Sequence, residues 1–266
     1  MGIKLSISNI AWAKDNYKVV YNYLNTKGFS GIEIAPTKIF STNPYDKLED
    51  AECYSLHMKD KYGLSISSIQ SIWYGRNERL FGSLEDRELL LDYTKKAINF
   101  AERIGAKNLV FGCPKNRNIS TMEDKKIAVN FFRELGDYAL AHGTVLALEA
   151  NPQIYGTNFI NTTKEAVELI NEVDSKGFML NLDFGTMIYN EEDVETINSF
   201  VDKINHVHIS EPYLNPIKKR EQHKSLFNIL EKNKFEGYVS IEMSMQDDVD
   251  TILKTIDYIK NTSEEK

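Results

Sequence analysis

The sequence predicts an α/β fold built as a single (β/α)8 TIM barrel, and three observations carry that expectation. Short β-like runs alternate with longer helical stretches eight times along 266 residues, and eight such units occupy ~250 residues in a typical barrel. Gly28, Gly63, Gly105, Gly143, Gly177 and Gly237 fall where helices should end and strands begin, as helix C-caps require. The turn after strand one, Ser8-Asn9-Ile10-Ala11-Trp12, lacks a G-x-G-x-x-G phosphate loop, which an open doubly wound sheet usually offers there.

The strands are expected at 3–10, 29–35, 64–72, 107–112, 144–150, 177–184, 203–210 and 237–243. Each is a short apolar or alternating run bounded by turn residues. Helical patterns lie near 15–27, 46–62, 84–104, 121–141, 162–174, 191–199, 222–233 and 247–260. In the third of these, Leu89, Leu90, Tyr93, Ala97 and Phe100 recur at spacings of three and four, which makes one buried face. Ser83 precedes Glu85 and Asp86 as an N-cap should, and Ser120 with Glu123 has the spacing of a capping box. No linker, repeat or composition break interrupts the chain, so residues 1–260 read as one barrel and 261–266 as a frayed tail.

Composition narrows the function. Lys and Arg number 32 against 39 Asp and Glu, a net charge of −7, and nucleic-acid binders need basic patches to neutralise phosphates. Lys218-Lys219-Arg220 is the one dense basic run. No apolar stretch approaches the ~20 residues that span a bilayer, so no membrane role is expected. Met1-Gly2 with Ser6 fits a myristoylation pattern, but Ile3, Leu5 and Ile7 alternate as a buried strand. Two cysteines, Cys53 and Cys113, make no disulfide framework, and the N-terminus has no apolar signal core. A cytoplasmic protein acting on a small molecule fits these features.

In a barrel of this kind the active site lies at the C-terminal ends of the strands. Strands five to eight finish their apolar runs with Glu149, Asp183, His208 and Glu242. Each alone could pair with a neighbouring Lys or Arg. Four converging ionisable groups are costly to bury without a compensating charge, and a divalent cation is the simplest one. Three carboxylates and an imidazole suit manganese, magnesium or cobalt better than a thiolate-preferring zinc site, although zinc stays open. His206, two residues before His208, reads as a hydrogen-bonded core histidine rather than a ligand. His57 and His142 read as surface residues, and His223 as a helix cap.

The order Glu149, Asp183, His208, Glu242 on strands five to eight resembles the xylose isomerase-like TIM-barrel superfamily. Within it, the chain resembles the sugar phosphate isomerase/epimerase group that includes ketose 3-epimerases and inosose isomerases. The resemblance implies one divalent metal, manganese first, held by those four residues. It implies a keto-sugar or keto-polyol substrate, with Glu149 and Glu242 as acid and base either side of a cis-enediolate. Proton return to the same carbon epimerises it, and return to the former carbonyl carbon isomerises the sugar. An inosose-type dehydratase or a non-catalytic carbohydrate-binding relative are the alternatives, and a homo-oligomer stays open. An endonuclease IV-like enzyme would need histidines on the early strands, where this chain has Glu33 and Gln70.

His208-Ile209-Ser210-Glu211 keeps a His-x-x-Glu spacing of the ketose epimerases, which implies a substrate or supporting role for Glu211. Three other positions depart from that group: Leu214 replaces an arginine, Thr186 a histidine and Tyr155 a glutamate. The sugar-reading shell is therefore expected to be rebuilt, from the polar run that contains Asn151 and Tyr155 and from Trp12 and Gln70 across the mouth. Lys115, Arg117 or the run 218–220 could supply charge for a phosphorylated substrate. Cys113, without a basic sequence neighbour, is expected to be inert.

Overall fold

Eight parallel strands form one sheet whose neighbours follow the order β1-β8-β7-β6-β5-β4-β3-β2 in a computed structural model describing residues 2–121 and 124–265. The strands are β1 Lys4–Ile7, β2 Gly31–Ile34, β3 Ser65–Ile69, β4 Leu109–Phe111, β5 Leu146–Glu149, β6 Phe178–Asp183, β7 Ile204–Ile209 and β8 Tyr238–Ile241. Between β1 and β2 a single parallel bridge, Ser8 to Glu33, and the Ser30 N–H donating to the Leu5 carbonyl at 3.2 Å draw the barrel nearly closed. All eight strands fall inside the ranges expected from the sequence. All eight are shorter than expected, because only the middle of each run finds a ladder partner.

The helices are α1 Tyr17–Thr26, α2 Pro36–Ile39, α3 Leu48–Tyr62, α4 Leu84–Ile104, α5 Asp124–Ala141, α6 Thr163–Val173, α7 Phe184–Tyr189, α8 Glu221–Lys232 and α9 Val249–Glu264. In α4 the Ser83 hydroxyl accepts the Asp86 N–H at 3.0 Å, satisfying one of the free donors at a helix start. Leu90, Ala97 and Phe100 are buried as the spacing predicts, whereas Leu89 stays exposed at the stripe's edge. Gly63 and Gly105 end α3 and α4 in the left-handed region, at φ 68° and 76°. Gly177 serves differently: a Cβ there would strike the Gly136 backbone of α5, so the residue is needed for close helix–strand approach.

Three expectations need correction. The helix placed at 191–199 is a 3-10 turn, Val194–Ser199. The α-helix of that unit is α7, started directly by Asp183 as its N-cap. The tail expected to fray from residue 261 is helical to Glu264, with Thr262 buried. His223 does not cap α8: it is wholly buried, with Nδ1 2.9 Å from the Tyr258 hydroxyl. The capping box assigned to Ser120 and Glu123 lies partly outside the described residues. No described helix is long and apolar enough to cross a membrane.

The apolar core fills the layer between sheet and helices, where Phe132 stacks on Phe178 with ring centroids 4.8 Å apart. Trp73 meets Phe111 edge-on at 4.7 Å. Inside the barrel, buried polar side chains such as Glu33, Asn181, His206 and His208 lie towards the C-terminal ends of the strands, beside the site.

Candidate active site

Alternation along β5 to β8 aims every second side chain into the barrel. The register pairs Glu149 with Asn181, Asp183 with His208, and His208 with Ser240, while the Glu242 N–H bonds the Ile209 carbonyl at 2.9 Å. The ends of these four strands therefore meet at one level. Glu149, Asp183 and Glu242 are 8%, 8% and 7% exposed, and His208 is fully buried.

His208 is the hub. Its Nδ1 lies 3.1 Å from Glu149 Oε2 and 3.1 Å from Glu242 Oε2. Two amides fix Glu149: Asn181 donates to Oε2 at 2.8 Å and Asn151 to Oε1 at 2.7 Å. Glu149, His208 and Glu242 offer ligand atoms that all lie within 4.8 Å of one another. Asp183 lines the same cavity but stands outside that cluster. Its carboxylate is held by the Thr186 N–H at 2.9 Å, the Thr186 hydroxyl at 2.7 Å and the Ser210 hydroxyl.

Electrostatics at the cluster are crowded. Burial raises the Glu242 carboxyl to about 7, with His208 resisting and Glu149 and Glu33 assisting. Burial and the charge of Glu149 raise Asp183 to about 6. Burial disfavours the His208 imidazolium, yet the carboxylates of Glu242 and Glu33 outweigh it and push that group well above its ordinary value. Arg117, a buried cation beside the cluster, makes no described ion pair with its carboxylates. Its Nη2 bonds the Glu149 carbonyl and Asn151 Oδ1, both at 2.9 Å, while its Nε and Nη1 find no partner. A hard divalent cation fits this oxygen-rich donor set with one imidazole.

The cavity holds about 190 Å³. Of the residues expected to read substrate, Gln70, Asn151 and Tyr155 line it. The Tyr155 hydroxyl accepts the Tyr213 N–H at 2.8 Å, and burial raises it above an ordinary phenol. Trp12 and Glu211 are not among the lining residues. The short turn Asn9–Ala11 carries Trp12 sideways, where its ring meets Tyr21 edge-on at 5.9 Å. Glu211 is clamped by Arg220, Nε to Oε1 at 2.7 Å and Nη2 to Oε2 at 2.6 Å, and Leu214 lines the cavity from that loop. Cys113 also lines it, with burial pushing the thiol up to about 12.

Sequence reasoning missed several contributors. Asn181 sits two residues before Asp183, a spacing that itself signals the same strand face. Gly112 gives Glu149 its space, since a Cβ there would lie 2.9 Å from Glu149 Oε1. Ser71 and Cys113 occupy the left-handed region at φ 55° and 47°, a strained backbone of the kind that collects at functional sites.

Known proteins agree with this architecture. An inosose dehydratase from Geobacillus thermodenitrificans is 25% identical over 248 residues, covering 85% of this chain and 76% of that protein. Two solved structures superpose over 97% of the chain. One is 3-keto-D-glucoside 4-epimerase from E. coli, with 22% identity, 99% of its chain covered and a TM-score of 0.77. The other is D-psicose 3-epimerase from Clostridium cellulolyticum, with 17% identity, 92% of its chain covered and a TM-score of 0.74. A family profile described as xylose isomerase-like TIM barrel matches residues 22–262. With nearly its whole length matched and eight parallel strands in barrel order, the chain belongs to the xylose isomerase-like TIM barrel family.

Proposed function

We propose that the protein is a divalent-metal-dependent isomerase or epimerase of a small, uncharged keto-sugar or keto-polyol. The observation that carries this reading is the convergence of Glu149 and Glu242, from β5 and the end of β8, on one nitrogen of His208 at the wall of the cavity. Glu149, Asp183, His208 and Glu242 would hold the cation, manganese first, with magnesium, cobalt or zinc able to substitute. When bound, the cation polarises a carbonyl and its neighbouring hydroxyl, which acidifies the carbon-bound proton between them.

The protein's own groups then move that proton. Glu149, its rotamer fixed by Asn151 and Asn181, takes it from carbon. Glu242, the second glutamate on the cavity wall, returns one as the acid. Return to the opposite face of the same carbon inverts it, and return to the neighbouring carbon exchanges ketone and hydroxyl. Gln70, Asn151 and Tyr155 orient the remaining hydroxyls. No lysine or arginine is among the lining residues described, and Arg220 is committed to Glu211. A phosphate group would find no lysine or arginine on that wall, which favours a free sugar.

A second reading is supported by the inosose dehydratase relative. The same proton removal, followed by loss of a hydroxyl from the adjacent carbon, dehydrates the substrate. Incubation of metal-loaded protein with keto-sugars and inososes in deuterated water tests both readings. Deuterium is expected beside the carbonyl. Conserved product mass apart from the label marks an epimerase or isomerase, and loss of water marks a dehydratase. Absence of exchange across the panel would leave a binding protein instead.

A further inference from the structure

Glu33 is buried completely, outside the residues that line the cavity. Its described polar contacts are Gln70, His206 and His208 rather than a lysine or arginine. An isolated carboxylate at such depth is costly unless a positive charge answers it. The ring of His208 connects the two. On one edge its Nε2 lies 3.0 Å from Glu33 Oε2. On the other, Nδ1 faces Glu149 and Glu242.

We infer that Glu33 is a positioning residue of the cation site: by accepting the Nε2–H of His208 it fixes the ring, keeps that proton on the far nitrogen and turns the Nδ1 lone pair towards Glu149 and Glu242. The inference rests on the reading that the strand-end residues hold a divalent cation. A carboxylate behind a ligating imidazole raises its basicity as a donor and answers the cation's charge across the ring.

The surroundings hold Glu33 in that role. Gln70 donates through Nε2 to Glu33 Oε1 at 3.1 Å and to the Ser8 hydroxyl at 2.5 Å, which occupies one carboxylate oxygen and leaves the other for histidine. Ser8 is also the residue that bridges to Glu33 where the barrel closes. The clamp therefore joins the ends of β1, β2 and β3 to the hub on β7. His206 Nε2 sits 3.1 Å from the same Glu33 oxygen without an aligned hydrogen bond, so His208 is the histidine that Glu33 orients.

The test titrates full-length, metal-stripped protein with Mn²⁺ against a chelator and records the electronic spectrum of the Co²⁺-loaded form. Wild type should bind one equivalent. Glu33→Gln should keep that stoichiometry with roughly 10- to 100-fold weaker Mn²⁺ binding, a shifted Co²⁺ ligand-field spectrum and an apo melting temperature close to wild type. Gln70→Met keeps the carboxylate but removes its anchor, and should weaken binding by a few-fold. It carries the test if Glu33→Gln does not fold. Unchanged affinity and spectrum in the variant that folds would overturn the inference while leaving the proposed function standing. So would two equivalents in wild type falling to one in Glu33→Gln, because Glu33, His206 and His208 would then ligate a second ion. A wild type that binds no divalent ion would remove the cation site itself.

Discussion

The two halves of the barrel mouth are built from different chemistry. Strands β5 to β8 deliver Glu149, Asp183, His208 and Glu242, four ionisable groups at one level. Strands β1 to β4 and their ends deliver Ser8, Glu33, Gln70 and Gly112, of which only Glu33 ionises. The glutamates on either side of His208 respond in opposite directions. Glu242 is raised to about 7, because burial and neighbouring carboxylates outweigh the help of one shared imidazole. Glu33 falls well below the usual carboxylate range even though burial opposes it, because His208 and His206 both face it. Burial alone does not decide how a carboxyl titrates; the company on each side of the imidazole does. Under the proposed function, the first half would move protons and the second would hold the first in place.

The largest effect expected from this contrast is loss of turnover on removing a proton carrier. Glu149→Gln and Glu242→Gln should each lower solvent-proton exchange by ~10²- to 10⁴-fold with far-ultraviolet circular dichroism unchanged. Full activity in either variant would break the division of labour.

A second effect is on stability. The carboxyls of Glu242 and Asp183 are raised in the folded protein, from 4.5 to about 7 and from 3.8 to about 6. The folded chain therefore holds more protons than the unfolded one across those windows. Stability of the metal-free protein is fully present below the lower values and is lost as pH rises towards 7, by on the order of 3 kcal/mol for Glu242 alone. A bound cation favours the ionised carboxylates, so the melting temperature of Mn²⁺-loaded protein should not fall over that range. Parallel thermal melts from pH 5 to 8 compare the two forms, and parallel curves would show that the cluster is not where the cation acts.

A smaller pair of effects separates space from backbone strain. Gly112→Ala places a Cβ against Glu149 Oε1 and should cost about tenfold in activity, roughly 1.4 kcal/mol of barrier, with little change in melting. Gly105→Ala has open space but a φ of 76°. It should cost about 1 kcal/mol of stability and leave exchange kinetics unchanged. Steady-state rates beside denaturant melts read both.

How much of this was legible in the sequence follows the same divide. Strand ends in a parallel barrel repeat a simple pattern, so Glu149, Asp183, His208 and Glu242 stood out as polar stops to apolar runs. Glu33 drew notice only as standing where an endonuclease IV-like enzyme would need histidine, and its partner, 175 residues away on β7, was not visible. Arg117 lies in a loop without periodicity, and nothing local marks it as buried. Trp12 and Glu211 had suitable chemistry at suitable positions. Their exclusion from the cavity wall depends on a 3-10 turn and on an arginine nine residues downstream, details of loop geometry that spacing does not encode.

The most direct test of the cation site is elemental analysis of purified wild type beside Asp183→Ala and His208→Ala, each after manganese loading and removal of free metal. About one manganese per wild-type chain, lost in both variants, is the predicted result. No retained metal in wild type, or the same content in all three proteins, would contradict the assignment of these strand-end residues as the cation site.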